Sequence, residues 1–169
     1  MTIKIRFFEN GDEKGLAKLL NECFKKDYYP YVKFNEKYVK EKAEDKTNKI
    51  FVAVDKKKII GSVRVKIFDL DLAEIRQISV TKKYRGKGIG SKLMKSAISY
   101  LKRKKIRKVV ARAKATDKIG MKFLIDNNFV PESFMKEHFR KKVDIIEFAL
   151  FLRWFNANPR NMSILWKNE

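Results

Sequence analysis

The chain has 169 residues, with 41 Lys and Arg against 20 Asp and Glu, a formal net charge of +21. Apolar residues make up 44% and aromatics 12%, so a single domain with a real core is expected; two domains fit poorly and disorder is excluded. The one cysteine, Cys23, excludes a disulfide scaffold and a cysteine-based zinc site, and no metal ligand set is expected.

No apolar run approaches the ~18 residues of a membrane span. The segment Met1-Thr2-Ile3-Lys4-Ile5-Arg6 holds no signal-peptide core. The expectation is a soluble, cytoplasmic protein that attracts an anion.

Ile3, Ile5 and Phe7 alternate with polar residues as in a strand. Asn10-Gly11-Asp12 offers a turn and a helix cap. Leu16, Leu19, Leu20, Cys23 and Phe24 then follow at the spacing of an amphipathic helix, which places Cys23 in the core and away from nucleophilic duty. Tyr28-Tyr29-Pro30-Tyr31 breaks that helix, and a second covers Asn35 to Asp45. Ile50 to Val54 and Ile59 to Val65 read as a hairpin around Asp55-Lys56-Lys57-Lys58. Leu72 to Val80 is the next strand, and Gly90, Leu93, Met94, Ala97, Ile98 and Leu101 mark a helix. Lys108 to Ala113 is a strand, Ile119 to Asp126 a short helix ended by Asn127-Asn128, and Asp144 to Leu152 a last strand. Mixed strands and helices with βαβ crossovers predict an α/β sheet over residues 1–153, and 154–169 form an extension.

The charge is uneven. Between Lys82 and Lys114 there are fourteen basic residues and no acidic one, which is two-thirds of the excess. Solvated faces usually mix signs, so this segment is the candidate anion receiver. It opens on Thr81-Lys82-Lys83-Tyr84-Arg85-Gly86-Lys87-Gly88-Ile89-Gly90-Ser91, a glycine-rich turn between a strand and a helix. Glycines there allow positive φ and close backbone approach to a ligand. The first helical amides lack intrahelical acceptors and, with the helix dipole, form an anion site. The dinucleotide fingerprint fails because Ser91 stands at its third glycine. The Walker A pattern fails because Gly86-Lys87 is followed by Gly88.

Arg85-x-x-Gly88-x-Gly90 does fit one pattern. It resembles the pyrophosphate-binding motif, Q/R-x-x-G-x-G/A, of the GCN5-related N-acetyltransferase (GNAT) superfamily, and it stands, as there, between the fourth strand and third helix. The element order from Thr2 to about Leu152 also looks like the family order. The resemblance implies a mixed, largely antiparallel central sheet flanked by helices, with splayed fourth and fifth strands. It implies acetyl-coenzyme A as cosubstrate, its pyrophosphate on Arg85, Gly86, Lys87, Gly88, Ile89, Gly90 and Ser91, its pantetheine arm beside Ile78, Ser79 and Val80. Ile75, Ile78 and Val80 share one face only if the alternation shifts phase, which a bulge would do.

The reaction so implied is direct attack of an amine on the thioester. A lysine-like amine with pKa ~10.4 is roughly three units from its reactive form at pH 7, about 4–5 kcal/mol, so a general base helps. Ala73-Glu74-Ile75 resembles the position of the catalytic glutamate in the histone-acetylating branch; the other reading of Glu74 is a solvent-facing carboxylate or one paired with Arg76. A backbone amide near Ile78 to Val80 would polarise the thioester carbonyl. Aligning the family's Tyr-x-x-x-Gly-Phe ending on Asn128-Phe129 puts Leu124 where the general-acid tyrosine stands and Asp117 near the usual asparagine. Ser79 and Tyr84 are weak substitutes, or the thiolate leaves unaided. Tyr28, Tyr29 and Tyr31, with Phe34, are candidates for the acceptor pocket, ordinary packing being the alternative. His138, among Lys136, Arg140, Lys141 and Lys142, is expected on the surface.

Two other functions compete. One is a basic nucleic-acid-binding module using Lys102, Arg103, Lys104, Lys105, Arg107 and Lys108, although aromatics do not interleave with that run. The other is a coenzyme A-binding GNAT fold without catalysis. Partners are therefore acetyl-coenzyme A and an amine, small or protein-borne; nucleic acid is possible but not required, and a membrane is not expected.

Overall fold

A computed structural model describes residues 3–28, 32–68 and 71–152, the side chains of 25–28 excepted. The period-2 and period-3.6 segments become, in chain order, β1 (Lys4–Phe7), α1 (Glu13–Tyr28), α2 (Glu36–Glu44), β2 (Asn48–Asp55), β3 (Lys58–Ile67), β4 (Leu72–Val80), a 3-10 turn (Lys82–Tyr84), α3 (Ile89–Arg103), β5 (Lys108–Lys114), α4 (Lys118–Asp126), β6 (Val130–Arg140) and β7 (Val143–Phe151). The helix starts obey local chemistry. Asn35 accepts the Tyr38 amide at 2.8 Å and opens α2, and Asp117 accepts the Gly120 amide at 2.9 Å and opens α4.

The strands form one sheet in the order β1-β2-β3-β4-β5-β7-β6. Every neighbouring pair is antiparallel except β4 and β5. The helix α3 packs on one face through Leu93, Met94, Ala97 and Leu101, each at most 1% exposed, against Val63, Val65, Ala73 and Val109. Burial of each such large side chain contributes about 1.5–3 kcal/mol. On the other face α1 and α2 set Leu16, Leu19, Leu20 and Val39 against Ile50, Val52 and Ile59. Cys23 lies half-buried beside that second cluster, as the helical spacing predicted. Among the described residues no helix is long and apolar enough to cross a membrane.

The chain end differs from the sequence expectation. A last strand from Asp144 is present as β7, but β6 precedes it and makes a hairpin with it. The physical reason is that β6 lies at the sheet edge with both faces wet. Val130, Phe134 and Phe139 are all exposed, so no burial alternation marks the strand. Pro131, the charges of Glu132, Lys136 and Glu137 and two register shifts blunt this edge against pairing with another chain. His138 is exposed there, as expected.

Two irregularities place the site. The first is in β4. Arg76 pairs with Arg64 and Ser79 with Ser62, so Gln77 and Ile78 together oppose Val63. Gln77 adopts φ 51° at this bulge. The phase shift lets Ile75, Ile78 and Val80 all join the α3-side core. Beyond the bulge β4 leaves β5: the pair covers only Leu72 to Ile75 against Lys108 to Ala111, although both strands run on. This is the expected splay.

The second is the β2–β3 turn. Asp55 pairs with Lys58, so Lys56 and Lys57 are the two central residues, at φ 45° and 68°. A two-residue turn with both φ positive normally holds Asn-Gly. Lysine is strained there, by ~1 kcal/mol or more per residue. Replacing the pair by Lys56→Asn with Lys57→Gly should therefore stabilise the fold by about 1 kcal/mol, read as a higher urea midpoint at unchanged slope.

Candidate active site

The floor of the site is the gap between β4 and β5, and its mouth is the loop from Thr81 to Ser91. At the end of β4 the Thr81 amide still bonds Ile60 at 2.9 Å. The 3-10 turn then carries the chain outward, braced by the Tyr84 hydroxyl, which donates to Asp55 at 2.7 Å. That bond raises the Tyr84 pKa, because ionisation would set a phenolate against a carboxylate. Tyr84 is thus committed to the turn.

Gly86 and Gly88 both have φ 73°. A Cβ at either would meet no atom within 4 Å, so the backbone angle and not crowding calls for glycine, and the space before the loop is open. Gly90 is different: a Cβ there would lie 3.2 Å from Phe123 of α4, so close helix packing explains it. Gly88 is the N-cap of α3 and supplies no side-chain acceptor. The first α3 amide to find a carbonyl is that of Lys92, which bonds Gly88 at 3.0 Å. The amides of Ile89, Gly90 and Ser91 therefore point outward unsatisfied, at the positive end of a 15-residue helix. Exposed Lys82, Lys83 and Lys87 surround them. Open space, orphan donors and cations together fit a diphosphate.

Arg85 folds back. Its Nε donates to the Val80 carbonyl at 2.9 Å, and its guanidinium lies 3.9 Å from Cys23 Sγ. The side chain thereby closes the loop on the end of β4 and leaves anion contact to the backbone. Burial raises the Cys23 pKa, and the nearby Arg85 opposes this only in part. That keeps the thiol protonated and inert, in line with a packing role.

Glu74 lies in the last paired stretch of β4, on the α1–α2 side of the sheet, and is 4% exposed. The solvent-facing reading of it is excluded. Arg76 Nε donates to one carboxylate oxygen at 2.6 Å, and Arg112 on β5 approaches the other at 3.4 Å. Arg112 in turn pairs with Glu147 on β7 at 2.7 Å. The result is a row of alternating charges across three strands beside the splay. Next to it, buried Arg64 donates to Asn48 at 2.7 Å and Gln77 at 2.9 Å, and Gln77 reaches the Tyr38 hydroxyl at 2.9 Å. The strained bulge residue is held by its own side chain. Arg112, Glu147, Arg64 and Tyr38 were not legible as site residues, because only strand register brings them to β4.

Ser79 is 6% exposed and its hydroxyl shares a 3.0 Å hydrogen bond with Ser62. Leu124 is 4% exposed in the main core, so an apolar group fills the place of the missing tyrosine. Asp117 is occupied as the α4 cap. Tyr28 falls at the end of α1; its side chain, Tyr29 and Tyr31 lie outside the described residues, while Phe34 is buried against α1 and α2.

A mixed sheet opened between two parallel strands, with an uncapped helix following the open strand, is an α/β frame that leaves a strand edge and helix amides free. Residues 14–124, roughly two-thirds of the chain, match the acetyltransferase (GNAT) family, and the chain belongs to it. That membership carries acetyl-coenzyme A as cosubstrate. Solved structures share the fold. An N-acetyltransferase from Staphylococcus aureus Mu50 is 22% identical at a TM-score of 0.78, covering 90% of this chain and 100% of that one. The ribosomal-protein-S18-alanine N-acetyltransferase from Escherichia coli is 16% identical at a TM-score of 0.77, with coverage of 93% and 98%. The PaiA N-acetyltransferase from Thermoplasma acidophilum, solved in complex with coenzyme A, is 20% identical at 0.72, with coverage of 87% and 98%. No curated protein sequence matches the chain significantly.

The charge row makes a stability prediction. Glu74→Leu would leave Arg76 and Arg112 facing each other across the strand pair. The loss should be about 1–3 kcal/mol, below the value for a fully buried pair because both guanidiniums reach solvent. Urea unfolding of the variant measures it, with Glu74→Gln expected to lose less.

Proposed function

We infer that the protein is an acetyl-coenzyme A-dependent N-acetyltransferase that works by direct attack of an amine on the thioester. The observation that carries this reading is the uncapped, glycine-led N-terminus of α3 at the mouth of the β4–β5 splay. Acetyl-coenzyme A, when bound, supplies the thioester carbon. The amides from Gly86 to Ser91 hold its diphosphate, and Lys82, Lys83 and Lys87 add charge without closing the loop. The edge of β4 at Ile78, Ser79 and Val80 takes the pantetheine amides, Arg85 giving up the Val80 carbonyl that it holds, since strand-like pairing satisfies donors and acceptors on both sides. An amide in the same stretch polarises the thioester carbonyl.

Glu74 serves as the base. Both its oxygens already accept from guanidiniums, so the acceptor proton reaches it through a water or by opening of the longer Arg112 contact. A proton taken by Glu74 leaves Arg76 without its counter-charge, so it passes on to solvent once the amine has reacted. With Leu124 apolar, the thiolate departs unprotonated, which a thiol pKa near ~8.5 permits. The acceptor is an amine, small or on a protein.

Calorimetry with acetyl-coenzyme A should give one site in the micromolar range. Gly88→Val, which forces a β-branched residue to positive φ, should weaken it by about tenfold or more. Wild-type affinity in that variant, or no binding by the parent, would remove the loop from the reading. In thiol-release assays over a panel of amines, Glu74→Gln should lower kcat by about 100-fold while acetyl-coenzyme A affinity stays. A change in kcat of less than about threefold would remove Glu74 from the chemistry.

A further inference from the structure

A second cleft, of about 470 Å³, opens between α1 and the β2–β3 turn and reaches Thr81, where the glycine loop begins, without including Gly86, Gly88 or the α3 N-terminus. Its walls carry Lys14 and Lys18 from α1 and Lys56, Lys57 and Lys58 from the turn, all exposed. Among the described residues none of these five lysines has an ion-pair partner. Two carboxylates border the cleft, and both are engaged. Asp12 is held by Arg6 at 2.6 and 2.9 Å, and Glu22 accepts the Lys82 amide at 3.3 Å. The floor is apolar, formed by buried Leu19 and Ile59 with Gly15 packed on Ile59.

Five like charges repel one another, and of the two bordering carboxylates only Glu22 is not already held by a cation. Two of them also sit in the left-handed backbone region, where Asn-Gly would cost less. Strain and repulsion at one place are features that a ligand can offset. A volume in the range of small-molecule sites, an apolar floor and a rim of ammonium groups together specify the ligand. We propose that this cleft binds a polyphosphate chain, carried by a nucleotide or free, as a site separate from the coenzyme A loop. The lysines pair with the phosphates as point charges, and the floor at Leu19 and Ile59 accepts a base where one is attached.

The test uses the full chain at about 0.15 M salt, where weak surface pairing is screened. Coenzyme A is kept saturating so that the glycine loop is occupied, and ATP or inorganic tripolyphosphate is titrated by calorimetry. One-to-one binding below about 1 mM is expected, and a tighter constant for ATP than for tripolyphosphate assigns the ligand as a nucleotide, while equal constants assign the bare chain. Lys18→Glu with Lys57→Glu should weaken binding by about tenfold or more, with acetyl-coenzyme A affinity unchanged within about twofold. Lys56→Asn with Lys57→Gly should weaken it by about threefold or more while the melting temperature rises, a pairing of effects that a purely structural turn would not produce. Lys102→Glu with Lys105→Glu, distant on the chain and outside the cleft, should leave it unchanged. Displacement by coenzyme A, equal loss in the Lys102 and Lys105 variant, wild-type affinity in the Lys18 and Lys57 variant, or no saturable binding would each overturn the proposal.

Discussion

The register between β3 and β4 is the constraint on which the rest depends. One extra residue in β4, placed at Gln77 and Ile78 against Val63, turns the end of that strand away from β5. Without it β4 and β5 would continue as an ordinary parallel pair, and no backbone edge would be open inside the sheet. The bulge is costly in two ways: Gln77 takes a positive φ, and ladder hydrogen bonds are lost. The Gln77 side chain offsets part of this by bridging Arg64 and the Tyr38 hydroxyl, which ties the bulge to β3 and α2. The core offsets another part, because the phase shift brings Ile78 and Val80 onto the same buried face as Ile75.

Once the strand edge is open, electrostatics decides what enters. The amides of Ile89, Gly90 and Ser91 have no acceptor of their own, and the helix dipole places positive potential at the same point. Lys82, Lys83 and Lys87 add to that field, whereas Lys102 to Lys105 stand at the other end of α3, about 20 Å away, and Arg107, Lys108 and Arg112 are paired with Asp71, Glu132, Glu74 and Glu147. On the opposite side of the sheet the balance is different. Glu74 and Glu147 alternate with Arg76 and Arg112, so the groove floor is locally neutral and can hold charged groups away from water. Cations thus stay unpaired around the glycine loop and are paired around Glu74.

Backbone strain follows the same division. Gly86 and Gly88 meet positive φ at no steric cost, whereas Lys56 and Lys57 meet it at a cost. The first pair gives the loop its shape for a ligand's approach. The second pair keeps charge on a turn that could have been cheaper.

The sequence alone determined every described α-helix and strand but the edge strand β6, and it determined the glycine loop. Helical and strand periodicity is a local property of burial, and a glycine between a strand and a helix answers a local backbone angle, so both are written within a few residues. The spacing of Ile75, Ile78 and Val80 is compatible with the bulge that the β3–β4 register shows. The edge strand β6 escaped because both its faces meet water and no alternation records it. The surroundings of Glu74 were decided by tertiary structure alone. Arg112 and Glu147 stand far along the chain from it, and only the β4–β5 and β5–β7 registers set them side by side. The gathering of Lys14 and Lys18 with the lysines of the β2–β3 turn was decided in the same way. Local sterics and burial leave a periodic trace in one dimension, whereas a charge partner or a cleft wall depends on packing between distant segments, which leaves none.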